Sequence, residues 1–277
     1  LILFIVFFVY QTFAFSKTTD EIDFNPKYIS NYLSAIISEN NHNSEDSIKY
    51  FNSSKILINK HEEYLKKYVI NLAANGEVQK SINTIKQNRK KNNSKFFEAN
   101  LLLLIDNFKK KKFNENIELL NEFKRYRSYG NYEYIIYEVL KSYNDLFLTK
   151  EINQNNEKKF GNLSLINEAF QYCYLDQPEA STKFISVINS KEGDYSRYLF
   201  FYLNTLIKKK DYNSALQVSK SINILDSNLL IQQSKQWIIN SNYNKFEEFF
   251  SCNNEGDILA EFFFLISNFY AADNNFK

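Results

Sequence analysis

The chain has 277 residues, 44% of them hydrophobic, and balances 34 basic against 32 acidic side chains for a formal net charge of +2. So neutral a chain sets up no whole-molecule field toward nucleic acid. Five Gly and two Pro are too few for the many tight turns of an all-β sandwich or barrel, which leaves a helix-rich fold with ample apolar mass.

Leu1–Tyr10 is continuously apolar and then gives way to small and polar residues. Residues 1–16 read as a secretory signal peptide, or a short anchor, with Ala14 and Ser16 fitting the small-x-small rule and placing cleavage before Lys17. The stretch is shorter than the ~20 residues of a spanning helix, so membrane contact is expected only through this segment if it stays uncleaved. Export to the periplasm or cell envelope follows. No charged residue and no Met precede it, so the chain is expected to be truncated at its start. Residues 17–26 read as a linker.

From Pro26 the apolar spacing is helical throughout. A first helical hairpin is expected over Tyr28–Asn40 and Glu45–Asn59, a second over Glu62–Asn75 and Glu77–Lys90, and a third over Phe96–Lys109 and Asn114–Arg125. Gly76 stands where a left-handed helix end is needed. Leu65, Tyr68, Val69 and Leu72 step by three, one and three, an amphipathic stripe faced by Ile82 and Ile85. Tyr132–Leu148 is another apolar helix, but its partner within Lys150–Phe160 is polar, and residues 126–161 read as a degenerate repeat. Order resumes with Leu165, Ile166, Ala169, Phe170, Cys173 and Tyr174, followed by Pro178 at the next helix start. Leu199, Tyr202, Leu203 and Leu206 then repeat the earlier stripe, with Tyr212, Ala215 and Val218 facing it. Leu229–Asn240, Tyr243–Phe250 and Asp257–Ala272 complete the series. The chain stops in a turn pattern at Asp273–Phe276, so a truncated repeat is expected there, with Phe262, Phe263 and Ile266 partly unpaired.

A small residue recurs just inside a helix start at Ser47, Ser81, Asn116, Ala180 and Ala215, at gaps of 34, 35, 64 and 35 residues. The 64 equals two shortened periods. A period near 34 marks stacked helical units that cannot bury their apolar faces alone and that touch only their neighbours. Within such a stack Cys173 and Cys252, about two repeats apart, lie beyond disulfide reach, and both read as unpaired small residues. The basic runs Lys109–Lys112 and Lys208–Lys210 fall in turns and Arg89–Lys91 at a helix end, where Lys is solvated.

These residues resemble tetratricopeptide (TPR) repeats, and the resemblance covers Tyr28–Phe276. The family's twentieth position is Ser47, Ser81, Asn116, Ala180 or Ala215. Its aromatic seventeenth is Phe113 or Tyr212, with Tyr243 and Phe276 as further matches. Its eighth is small at Ala35 but bulky at Val69, Leu104 and Leu203, and its later aromatic is clear at Phe51, followed by Ser54. The resemblance implies an all-α solenoid of antiparallel helical hairpins over residues 27–277. It also implies a concave groove that holds a peptide or partner helix. By position the groove would be lined by Lys66, Ile70, Leu101, Ile105, Arg197, Phe200 and Asn204, with Ile70, Ile105 and Phe200 as a partly exposed apolar track. The Lys/Asn carboxylate clamp of chaperone-binding members is not reproduced, because Ile70 follows Lys66 where Asn would stand.

Chemistry is not prominent. His42 and His61 have no His or Cys neighbour at ligand spacing, so no metal is expected. No GxxxxGK[ST], GxGxxG or GxSxG stretch occurs, so no cofactor, phosphate cradle or nucleophile elbow is expected. The adjacent carboxylates Glu62–Glu63 and Glu247–Glu248 point apart on a helix and read as solvated. The expectation is a non-catalytic protein–protein interaction scaffold of the bacterial cell envelope. The alternatives are the helical arm of an envelope enzyme with its catalytic domain beyond residue 277, and a membrane-tethered spacer.

Overall fold

The computed structural model describes residues 25–89, 94–123, 132–152, 160–190, 195–222 and 228–272. The apolar N-terminal segment, most of the linker, most of the polar stretch after Tyr132–Leu148 and the C-terminal turn lie outside the described residues. Among the described residues there are 14 α-helices and no strand. They fall into two compact units, residues 1–95 and 96–277.

The first unit holds α1 (Pro26–Asn40), α2 (Ser44–Ser53), a 3-10 turn over Lys55–Asn59, α3 (Glu62–Ala74) and α4 (Val78–Asn88). Asn25 caps α1 by accepting from the Lys27 N–H, with Pro26 in the first turn, where a missing N–H costs nothing. α1 packs on α2 and α3 on α4. The expected stripe of Leu65, Tyr68, Val69 and Leu72 is wholly buried. Around it Tyr32, Phe51, Tyr64 and Tyr68 form one aromatic cluster with ring centroids 5.3–6.1 Å apart.

Small residues tie the paired helices together. Ser47 donates to the Ala35 carbonyl at 3.0 Å, and Ser81 donates to the Val69 carbonyl at 2.7 Å. Each bond joins residues twelve apart. The position of Ser81 in the period suggests only a small buried residue, but its hydroxyl is also bonded. Ser81→Ala should cost about 1 kcal/mol by removing a buried hydrogen bond between the two helices. Asn116, Ala180 and Ala215 are likewise buried at their helix starts. Ala215→Leu should cost roughly 1–3 kcal/mol by overpacking a site with no free space, read as a lower denaturation midpoint.

The second unit holds α5 (Phe97–Lys109), α6 (Asn116–Phe123), α7 (Tyr132–Thr149), α8 (Asn162–Tyr174), α9 (Ala180–Ile188), α10 (Tyr198–Lys208), α11 (Tyr212–Ser221), α12 (Leu229–Ile239), α13 (Asn244–Phe249) and α14 (Glu255–Ala272). α5 packs on α6, α8 on α9, and α10 on α9, α11, α12 and α13. Tyr212 stacks on Tyr243 at 4.2 Å with planes 13° apart, joining two helix starts.

Seven of the described helices end in the same way. His42, Gly76, Lys111, Lys150, Asp176, Lys210 and Ser241 all have positive φ, between 55° and 79°. At six of these ends the next residue's N–H reaches back five positions at 2.7–2.9 Å: Asn43 to Ser38, Glu77 to Leu72, Lys112 to Asn107, Gln177 to Tyr172, Asp211 to Leu206 and Asn242 to Trp237. This is the Schellman closure, which satisfies helix-end carbonyls. Only Gly76 adopts it without a Cβ penalty. His42→Gly and Ser241→Gly should each therefore raise stability by roughly 0.5 kcal/mol, the relieved strain outweighing added unfolded-chain freedom.

Two expectations fail at the C-terminal end. Cys173 and Cys252 form a disulfide, with Cα atoms 5.5 Å apart. Phe262 and Ile266 are buried rather than left unpaired, while Phe263 is half-buried. Both follow from one departure from a neighbour-only stack: α14 turns back and packs on α5 and α7. That return carries Cys252 to the C-terminal end of α8.

Candidate helix-binding surface

α14 lies against α5 and α7. At its start Glu255 receives the Lys111 ammonium at 3.0 Å and the Tyr174 hydroxyl at 2.9 Å, with the Lys150 ammonium at 4.0 Å. These are the C-terminal ends of α5, α7 and α8. In its middle Phe262 meets Tyr143 of α7 edge to face at 6.4 Å. Near its end Tyr270 packs on Tyr132, the first residue of α7, at 4.4 Å. α14 thus runs along α7 in the opposite direction.

The strongest polar contact is bidentate. Arg197, capping the start of α10, donates from Nε at 2.8 Å and Nη2 at 2.7 Å to the two oxygens of Glu261. Glu261 is 5% exposed and Arg197 28%, so the pair is largely removed from water. The same guanidinium lies 4.2 Å from the Phe264 ring centroid. Burial lowers the Arg197 proton affinity, and the Glu261 hydrogen bonds outweigh that and raise it. Burial pushes the Tyr198 hydroxyl up, as does the Glu261 charge near it. That hydroxyl is buried with no hydrogen-bond partner among the described residues.

A loop leads into α14 and is clamped. Asn204 of α10 donates to the Phe250 carbonyl at 2.9 Å, Lys208 donates to Asn253 at 2.8 Å, and the disulfide holds Cys252. A cleft of about 330 Å³ opens beside this loop, lined in part by Thr205, Lys208, Lys210, Tyr243 and Glu247. Lys208 also pairs with Asp176 at 3.0 Å.

The positions expected to line a groove are thus divided. Lys66 and Ile70 lie on α3 in the first unit, both half-buried. In the second unit Leu101 and Ile105 of α5 are half-buried, and Arg197 and Asn204 hold α14 and its loop. Phe200 corrects the expectation of a partly open track. It is fully buried, stacked on Phe246 at 5.5 Å and edge-on to Phe249 at 5.2 Å. The cause is that α10 is packed by four helices, and α13 covers the side on which Phe200 lies. Tyr143, Tyr174, Glu255 and Glu261 were missed as site residues. A buried pair 64 residues apart in sequence leaves no local pattern.

Among the described residues no group of His, Cys, Asp and Glu side chains could hold a metal ion, and no helix is long and apolar enough to cross a membrane. Burial pushes the Glu255 carboxyl up, but its own backbone N–H, the Lys111 ammonium and the Tyr174 hydroxyl outweigh that and hold it below the ordinary carboxylate range. A depressed folded value stabilises above the unfolded value, near ~4.3 for Glu, and that stabilisation fades as pH falls through the folded value. Backbone amides early in α14 should therefore open more readily below about pH 4, and Glu255→Gln should remove that dependence. Hydrogen exchange across an acid series checks it.

No family model, curated protein or solved structure matches the chain.

Proposed function

We propose that the chain is a TPR-like solenoid of antiparallel helical hairpins that holds protein partners, as a non-catalytic scaffold of the bacterial cell envelope. Three features support the TPR-like register. The twelve-residue ties Ala35–Ser47 and Val69–Ser81 join the family's eighth and twentieth positions. Its bulky eighth positions Val69, Leu104 and Leu203 are all fully buried. Left-handed helix ends recur at spacings of 34, 35, 39, 26, 34 and 31 residues.

The observation that carries the function is the binding of one helix, α14, across several other helices through cations at its carboxylates and aromatic rings at its apolar stripe. That is the physics by which a grooved helical surface grips a partner helix. Export is supported by the apolar first sixteen residues and by the disulfide, which persists in oxidising compartments.

The test is affinity purification from the native envelope with the wild-type chain and an Arg197→Glu variant that still shows a helical spectrum. A partner retained by the first and lost by the second supports the scaffold. No specific partner with either, or identical partners with both, contradicts it.

A further inference from the structure

α14 sits like a bound ligand rather than like a core helix. A permanent core helix gains little by burying carboxylates, since an apolar replacement of an ion pair is often neutral or stabilising. α14 nevertheless buries two, Glu255 and Glu261. The surface beneath offers three cations to those two carboxylates: Lys111, Lys150 and Arg197. It also leaves the Tyr198 hydroxyl, close to Glu261, with no acceptor among the described residues. The outer side of α14 still exposes Phe264 and Phe269, at 41% and 39%. Around Glu255 and Glu261 the seat is therefore basic and has more donors than its resident uses, while the far end of α14, at Tyr270, lies near the seat carboxylates Glu98 and Glu133.

We propose that the surface formed by α5, α7, α8 and the start of α10 is an exchangeable helix-binding site occupied in cis by α14, and that its partner is an acidic amphipathic helix. That helix carries one carboxylate at its first turn and another six residues on, beside an apolar stripe like Ile258, Leu259, Phe262 and Ile266. This rests on the scaffold reading and names the partner class. Charge complementarity selects the acidic helix. Arg197 would take the second carboxylate bidentately, Lys111 and Tyr174 the first, and a second acceptor would satisfy Tyr198. The Cys173–Cys252 link tethers the resident helix beside the site and keeps its effective concentration high, so it excludes the partner.

The probe is a fluorescein-labelled synthetic peptide of residues 255–272, added to the full chain and read by anisotropy. Against Cys252→Ser, with its helical spectrum intact, binding should saturate and be at least tenfold tighter than against the oxidised wild type. A peptide with Glu261→Lys should bind at least tenfold more weakly. Where Cys252→Ser does not fold, the wild-type chain reduced after folding serves as the open form. Absence of saturable binding to the open form, or equal binding of both peptides, overturns the proposal. If the wild-type chain still captures an envelope partner through Arg197 in those circumstances, the scaffold survives and only the acidic-helix assignment falls.

Discussion

Replacing Cys252 by Ser should destabilise the second unit by roughly 3–4 kcal/mol under non-reducing conditions, from the lost constraint on the unfolded chain. The link spans 79 residues, and a closed loop of that length removes much of the denatured ensemble's freedom. Cys173 and Cys252 are both buried, so the one serine hydroxyl would also lack water and the Cys173 thiol would be left unpaired. Urea unfolding with and without reductant gives the comparison. The wild type should shift strongly on reduction and Cys252→Ser should not shift at all. Equal midpoints for wild type and variant would mean that the loop before α14 is held without the disulfide.

The second large effect is expected at Arg197. Arg197→Ala leaves the Glu261 carboxylate buried with no counter-charge, which costs about 3 kcal/mol in a largely dry site. Glu261→Ala alone should cost less, because Arg197 is the more exposed partner and can turn to water. The double variant should be less damaged than the sum of the two, by about 1–3 kcal/mol, since one interaction is removed twice in that sum. Additive losses would show that the two charges do not act on each other.

The helices were legible because each is built on an apolar stripe at helical spacing. Leu65, Tyr68, Val69 and Leu72 are buried as their steps imply, as are Leu203, Leu206 and Ala215. Leu199 and Tyr202 of the second stripe are half-buried, and Tyr212, expected to face it, is exposed. Gly76 was legible as a left-handed end because glycine advertises it. His42, Lys111, Asp176, Lys210 and Ser241 adopt the same conformation without a marking residue type. Their only signal is position, four or five residues before a small buried residue at most of these ends.

The return of α14 was not legible. Nearest-neighbour logic keeps Cys173 and Cys252 apart, and it holds for a stack whose last helix has no earlier surface to cover. Here that surface exists, and it is basic where α14 is acidic. Phe200 misled for a related reason. Its groove position in the family pattern suggested an open face, but Phe246 and Phe249 of α13 cover it. Periodicity tells which face of a helix is apolar, not how many neighbours will bury the other.

Amide hydrogen exchange over Ile258–Tyr270 in the oxidised wild-type chain tests most directly whether α14 is seated on α5 and α7. Seated, its amides should be protected for as long as those of α7, and Arg197→Ala should shorten that protection selectively in α14. Exchange within seconds across α14, with α7 still protected, would contradict a docked helix and the surface built around it.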